Sequence, residues 1–114
     1  MSRYRRGADA ERHLVLQLRL DGYFAVRSAG SKSSCDVIAI KPGQVLFIQV
    51  KAGVGRESPA ERRALLDLAA CLPGVGVPVI ADNPQRRDGA LWRLTGPGPR
   101  QREPFSIDQI GETP

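Results

Sequence analysis

The sequence predicts an α/β fold: a compact mixed β-sheet flanked by helices, in the order α-β-β-β-α-β-β. Three observations lead there. A segment near the N-terminus spaces its apolar residues as an amphipathic helix does. Residues 34–51 (SCDVIAIKPGQVLFIQVK) form two apolar runs joined by Lys-Pro-Gly-Gln, the pattern of a β-hairpin. A well-marked helix start at Ser58 then leads into another apolar run at residues 75–81. A strand–helix–strand crossover following a hairpin makes a sheet of mixed direction.

Residues 8 to about 21 read as the first helix. Leu14, Val15 and Leu18 form its apolar stripe, Asp9 suits its first turn, and Asp21-Gly22 ends it. Glu11 lies three, four and seven positions before those residues, hence on the inward face at the helix's N-terminal end. An acid there needs a partner or a function. Residues 23–27 (YFAVR) read as a strand and residues 28–34 (SAGSKSS) as a polar loop. The hairpin strands are residues 36–40 and 45–51, followed by a break at Gly53-Val-Gly55.

Ser58-Pro-Ala-Glu61 supplies Ser at the N-cap, Pro at N1 and Glu at N3 of a second helix. It runs to about residue 72, with Leu65, Leu68, Ala69 and Leu72 inward, and Pro73-Gly74 stops it. The apolar run at 75–81 reads as a central strand, residues 83–89 as a turn, and Ala90–Leu94 as a last short strand. Residues 1–7 read as a basic arm. From Gly96 the chain is Pro-rich, which predicts a loosely ordered tail over 96–114, with a short turn at 106–110. With 114 residues, the whole chain reads as one domain.

Hydrophobic residues make up 41% and charged residues 25%, the balance of a soluble globular protein. No apolar run approaches the roughly 18 residues of a membrane span, and the start, MSRYRRGADAER, lacks a signal peptide's apolar core. The expectation is an intracellular, cytoplasmic protein with no membrane partner and no nucleotide cofactor. Cys35 and Cys71 lack metal-type spacing and read as thiols, and His13 is the one histidine, so no Cys/His metal site is expected. The net charge is +5. Arg3, Arg5, Arg6, Arg12, Arg19 and Arg27 crowd the first quarter, which points to a phosphate-rich partner over a merely solvated basic surface.

Closing the hairpin with Ile40 opposite Val45 sets Asp36 opposite Gln49. Side chains alternate, so Lys51 then shares a face with Gln49 while Val50 points away. An acid, an amide oxygen and a lysine would converge at the open end, whereas a slip of one residue would separate Asp36 from Gln49. Oxygen ligands suit a hard divalent cation, which can polarise a phosphodiester and acidify a bound water. A lysine there can orient that water or neutralise developing charge. Polar residues at strand ends are also commonplace, and Asp-x₁₂-Gln-x-Lys alone is a loose pattern.

Four segments in order sharpen this: residues 4–12 (YRRGADAER), 26–32 (VRSAGSK), 35–40 (CDVIAI) and 47–51 (FIQVK). Their sequence and spacing resemble the archaeal-type Holliday junction resolvases of the PD-(D/E)xK nuclease superfamily. The resemblance is close over residues 3–53 and weaker through the second helix to residue 81. It implies a restriction-endonuclease-like core and a homodimer that cleaves four-way DNA junctions with Mg²⁺, for which Mn²⁺ substitutes. By this resemblance Glu11, Asp36, Gln49, Lys51 and Ser31 are catalytic. Glu11, Asp36, Gln49 and the backbone carbonyl of Val50 hold the metal. Arg3, Arg5, Arg6, Arg12, Arg27, Ser28 and Lys32 meet DNA.

Two positions depart from the family pattern. Cys35 stands where the superfamily often has Pro. Gln49 stands where the family usually has Glu, which keeps an oxygen ligand and removes a charge. Two alternatives stay open: a restriction- or repair-type endonuclease on the same fold, and a non-catalytic junction binder. Two opposed nicks require two sites related by a two-fold axis. The candidate dimer face combines the second helix with the strand at 75–81.

Overall fold

Helix α1 (Arg3–Leu20) begins at Arg3, where the sequence suggested an arm. Gly7 weakens the local helix signal by about 1 kcal/mol, but Ala8 and Ala10 are buried, so packing carries the helix past it. Glu11 therefore sits near the middle of α1 and not at its start. The helix ends in a Schellman motif: Tyr23 N–H donates to Leu18 O and Gly22 N–H to Arg19 O. Gly22 takes the φ of 92° that this closure requires.

The computed structural model describes residues 3–28 and 34–107, with backbone alone for residues 3–6. After α1 come β1 (Phe24–Arg27), β2 (Val37–Lys41), β3 (Gln44–Lys51), α2 (Pro59–Ala70), β4 (Gly76–Asp82), β5 (Ala90–Leu94) and β6 (Arg102–Pro104). The six strands lie side by side in chain order. Every neighbouring pair is antiparallel except β3 and β4, which are parallel and joined through α2.

The hairpin has the expected register, from Ile40 opposite Val45 to Val37 opposite Ile48. Pro42 and Gly43 form its turn, Gly43 supplying a φ of 77°. Alternation then divides the sheet. Val37, Ala39, Leu46, Ile48, Val50, Val77, Val79 and Ala81 pack with Leu14, Val15 and Leu18 of α1. Phe47 and Ile80 pack on the opposite face with Leu65 and Ala69 of α2. Leu14 and Leu18 are 1% and 0% exposed, and each such burial stabilises the fold by about 2 kcal/mol.

Two expectations change. The tail is ordered through residue 107. β6 pairs with β5, Phe105 N–H donates to Leu91 O, and Ile107 is buried. The buried Arg62 of α2 also donates to Pro97 O at 2.9 Å. These backbone and apolar anchors outweigh the local Pro/Gly signal; residues 108–114 lie outside the described part. Of the candidate dimer face, Val77, Val79, Ile80 and Ala81 of β4 are buried within one chain, while Leu72, expected inward on the second helix, lies beyond the end of α2 and is exposed. Exposed apolar side chains also include Phe24 and Ile40, paired across β1 and β2, and Leu16 and Leu20 of α1. No helix among the described residues is long and apolar enough to cross a membrane.

Candidate active site

Asp36 stands immediately before β2, where the ladder with β3 ends. Its backbone N–H donates to Ile48 O at 2.8 Å, so the strict ladder stops at Val37 and Asp36 does not form the next straight pair. Its side chain nevertheless makes the expected connection. Asp36 Oδ2 accepts from Gln49 Nε2 at 3.0 Å and from the Val50 backbone N–H at 2.9 Å. No hydrogen bond from the described residues reaches Oδ1. Burial pushes the Asp36 carboxyl above the usual range, against the lowering effects of the Val50 N–H and Lys51.

Lys51 closes β3. Its backbone carbonyl accepts from Asn83 N–H at 2.7 Å, and the Asn83 side chain bonds both Gly53 N–H and Gly53 O. This clamp, made by a residue with a φ of 49°, fixes where the strand ends. The Lys51 ammonium donates to Glu61 Oε2 at 2.9 Å. Glu61 is the N3 residue of the α2 capping box, with Ser58 as N-cap, as the sequence indicated. Its carboxyl lies below the usual range because hydrogen bonds and the Lys51 charge outweigh a desolvation effect that alone would raise it.

On the α1 side, Glu11 Oε1 accepts from Arg27 Nε at 3.1 Å. Desolvation is the largest influence on Glu11 and raises its pKa; Arg27 opposes this, and the charge of Asp36 adds to the rise. Asp36 thus lies between two ion pairs, feeling Arg27 from one and both Lys51 and Glu61 from the other. The partner that an acid on the inner face of α1 demanded is Arg27.

The structure brings together Glu11, Asp36, Gln49, Lys51 and Arg27. Arg12 pairs with Asp9 at 2.9 Å and is exposed. Ser28 N–H donates to the Asp36 carbonyl at 2.8 Å, tying the end of β1 to the site. Ser31 and Lys32 lie outside the described residues, and the side chains of Arg3, Arg5 and Arg6 are not described. Sequence reasoning missed Glu61 and Asn83. Glu61 was legible as a cap, but its ion pair spans ten residues and depends on where α2 docks.

Among the described residues no three His, Cys, Asp or Glu side chains group as a ready metal site. The donor set still fits a Mg²⁺-type ion, which takes one or two carboxylates and keeps waters or phosphate oxygens for the rest. Among the described residues, nothing donates to Asp36 Oδ1, the oxygen that would face such an ion. With Nε2 of Gln49 turned to Asp36, its Oε1 is the atom left to face a cation.

The sequence matches the family described as archaeal Holliday junction resolvase (Hjc) over residues 2–109. Among solved structures, that of Archaeoglobus fulgidus Hjc, a Holliday junction resolvase from an archaeal hyperthermophile, has a TM-score of 0.61 at 21% identity. The match covers 88% of this chain and 92% of that one, and it shows a shared fold. With the family matched over nearly its whole length, the chain belongs to the archaeal Holliday junction resolvases, nucleases of DNA recombination and repair that bind branched DNA as homodimers.

Proposed function

We propose that this protein is a Mg²⁺-dependent endodeoxyribonuclease that resolves four-way junctions by paired nicks, with Asp36 at the centre of each site. The observation that carries this reading is the position of Asp36 at the meeting of two strand ends, bonded to Gln49 and Val50 and flanked by two ion pairs. Glu11, Asp36, the Gln49 amide oxygen and the Val50 carbonyl would hold the ion. When bound, the ion supplies Lewis acidity at the phosphodiester and lowers the pKa of a bound water. Mn²⁺, with its similar preference for oxygen ligands, would serve as well.

The chain's own groups do the rest. Lys51 neutralises charge that develops on the phosphate or directs the attacking water. Arg27, exposed beside Glu11, is available to the DNA backbone, as is Arg12. Ser28, Ser31 and Lys32, with Arg3, Arg5 and Arg6, extend this phosphate-binding role, and Ser31 supports cleavage. Recognition then depends on backbone shape and charge, so affinity falls steeply with salt. We place this activity in the cytoplasm and in one domain spanning the chain.

The test is cleavage of a synthetic four-way junction beside matched linear duplex, with Mg²⁺, Mn²⁺ or EDTA. Paired metal-dependent nicks confined to the junction are expected. Asp36→Ala should abolish cleavage and leave junction affinity, measured in EDTA, within about threefold, since Asp36 makes no phosphate contact in this scheme. Equal loss of binding and cleavage would defeat the metal-ligand role. Equal cutting of linear duplex would favour a general endonuclease.

A further inference from the structure

We propose that Glu61 is a positioning residue for Lys51, holding its ammonium in place before DNA arrives. This rests on the reading of Lys51 as the cleavage lysine. The two oxygens of Glu61 have separate tasks. Oε1 accepts the Ser58 backbone N–H at 2.8 Å and completes the helix cap; Oε2 accepts the Lys51 ammonium at 2.9 Å. Ser58 in turn accepts the Glu61 N–H at 3.1 Å. The cap therefore fixes the carboxylate, and the carboxylate fixes the lysine.

A lysine carries large rotamer freedom on a flexible stem. At the end of β3 its backbone is clamped by Asn83, but the ammonium lies four methylenes away. Without a partner it would have to lose that freedom in the transition state. Glu61 removes the freedom in advance, because it is anchored to α2 and not itself a loose surface acid. The pair is partly screened from solvent, Lys51 being 21% and Glu61 36% exposed. The Glu61 charge also reaches Asp36, so the cap of α2 belongs to the electrostatics of the site. The plainer account makes Glu61 a cap and nothing more.

Glu61→Gln separates the two accounts, because Gln serves at N3 of a capping box equally well but cannot accept the ammonium's charge. The expected result is an unchanged melting temperature, junction Kd within about twofold of wild type, and kcat lowered about tenfold, the scale of lost rotamer order in one lysine. Glu61→Ala should lose both cap and kcat. Independently of cleavage, ¹H–¹⁵N NMR of the Lys51 ammonium in the DNA-free protein should show restricted motion in wild type and free motion in Glu61→Gln. Unchanged or raised kcat in Glu61→Gln overturns the proposal, as does an ammonium equally mobile in both proteins. If wild type cuts no junction, the nuclease reading fails, while the NMR comparison still decides whether Glu61 orders Lys51.

Discussion

Replacing Gln49 by Glu tests the centre of the site. In the DNA-free protein Gln49 Nε2 donates to Asp36 Oδ2 at 3.0 Å. Gln49→Glu puts a second carboxylate where that donor was. Two unit charges at that separation repel by about 1.4 kcal/mol at the dielectric of water and about 5.5 kcal/mol at an effective value near 20. Asp36 is half-buried, so the interaction lies between these limits. Rotation of the new side chain, or uptake of one proton by the pair, relieves part of it. A net loss of about 1–3 kcal/mol remains, roughly 4 °C of melting temperature per kcal/mol for a chain of this size.

The sign of the pH dependence follows. Repulsion raises the folded-state pKa of the pair above its unfolded value, so the folded state binds protons more tightly. The deficit is present above the folded pKa and fades as pH falls below the unfolded one. A divalent cation reverses the effect, because a site with one more negative charge binds it more tightly. Each tenfold gain in affinity adds about 1.4 kcal/mol at saturating metal. Thermal melts in EDTA and in Mg²⁺ give both quantities, and cleavage should be kept or raised. An unchanged melting temperature in EDTA would show that the Gln49–Asp36 contact contributes nothing to the fold. Equal stabilisation of both proteins by Mg²⁺ would remove position 49 from the metal site.

Two further outcomes concern the scaffold. A Cβ on Gly76 would run into the backbone carbonyl of Ala69 in α2, so Gly76→Ala should lower stability by about 1–3 kcal/mol in a thermal or urea melt, whereas Gly55→Ala, with open space around it, should change little. Burial pushes the Cys35 thiol up to about 11, so iodoacetamide near neutral pH should modify the exposed Cys71 in the native protein, with Cys35 reacting only on unfolding, as read by peptide mass spectrometry.

Much of the fold was legible because its signals are local. The Pro-Gly turn and the two apolar runs fix the hairpin register, and that register delivers Gln49 to Asp36. The Ser-x-x-Glu box marks the start of α2. What was illegible depends on tertiary contacts. The first turns of α1 looked like an arm because Gly7 interrupts them, yet Ala8 and Ala10 are buried and Ala10 joins the core between α1 and the sheet. β6 was hidden in a Pro-rich stretch, and its order comes from pairing with β5 and from Arg62 reaching Pro97. At the candidate site, strand alternation placed Asp36, Gln49 and Lys51 together at the open end of the hairpin, and their roles were implied by the family resemblance. The partners of Glu11 and Lys51 were not, since each pair joins a helix to a strand end whose approach no local pattern records.

The charges of the site explain how a neutral residue at position 49 can be accommodated. Glu11 and Arg27 form one ion pair, Lys51 and Glu61 another, and their formal charges cancel. Asp36 then remains as the one uncompensated acid of this group, and it receives the Gln49 amide and the Val50 N–H. A second acid at position 49 would leave two adjacent negative charges in the absence of metal. Gln49 lets the strand ends close without a cation, and on the proposed mechanism the same choice weakens the hold on one. On the proposed mechanism the deficit is made up when DNA binds. A phosphate oxygen adds a ligand, and phosphates draw Arg27 away from Glu11, which raises the negative charge facing the ion. Metal and junction then bind better together than apart, which is a coupling between two ligands and is reciprocal. The Gln49→Glu substitution would reduce that coupling by supplying in the free protein the charge that Gln49 leaves to the substrate.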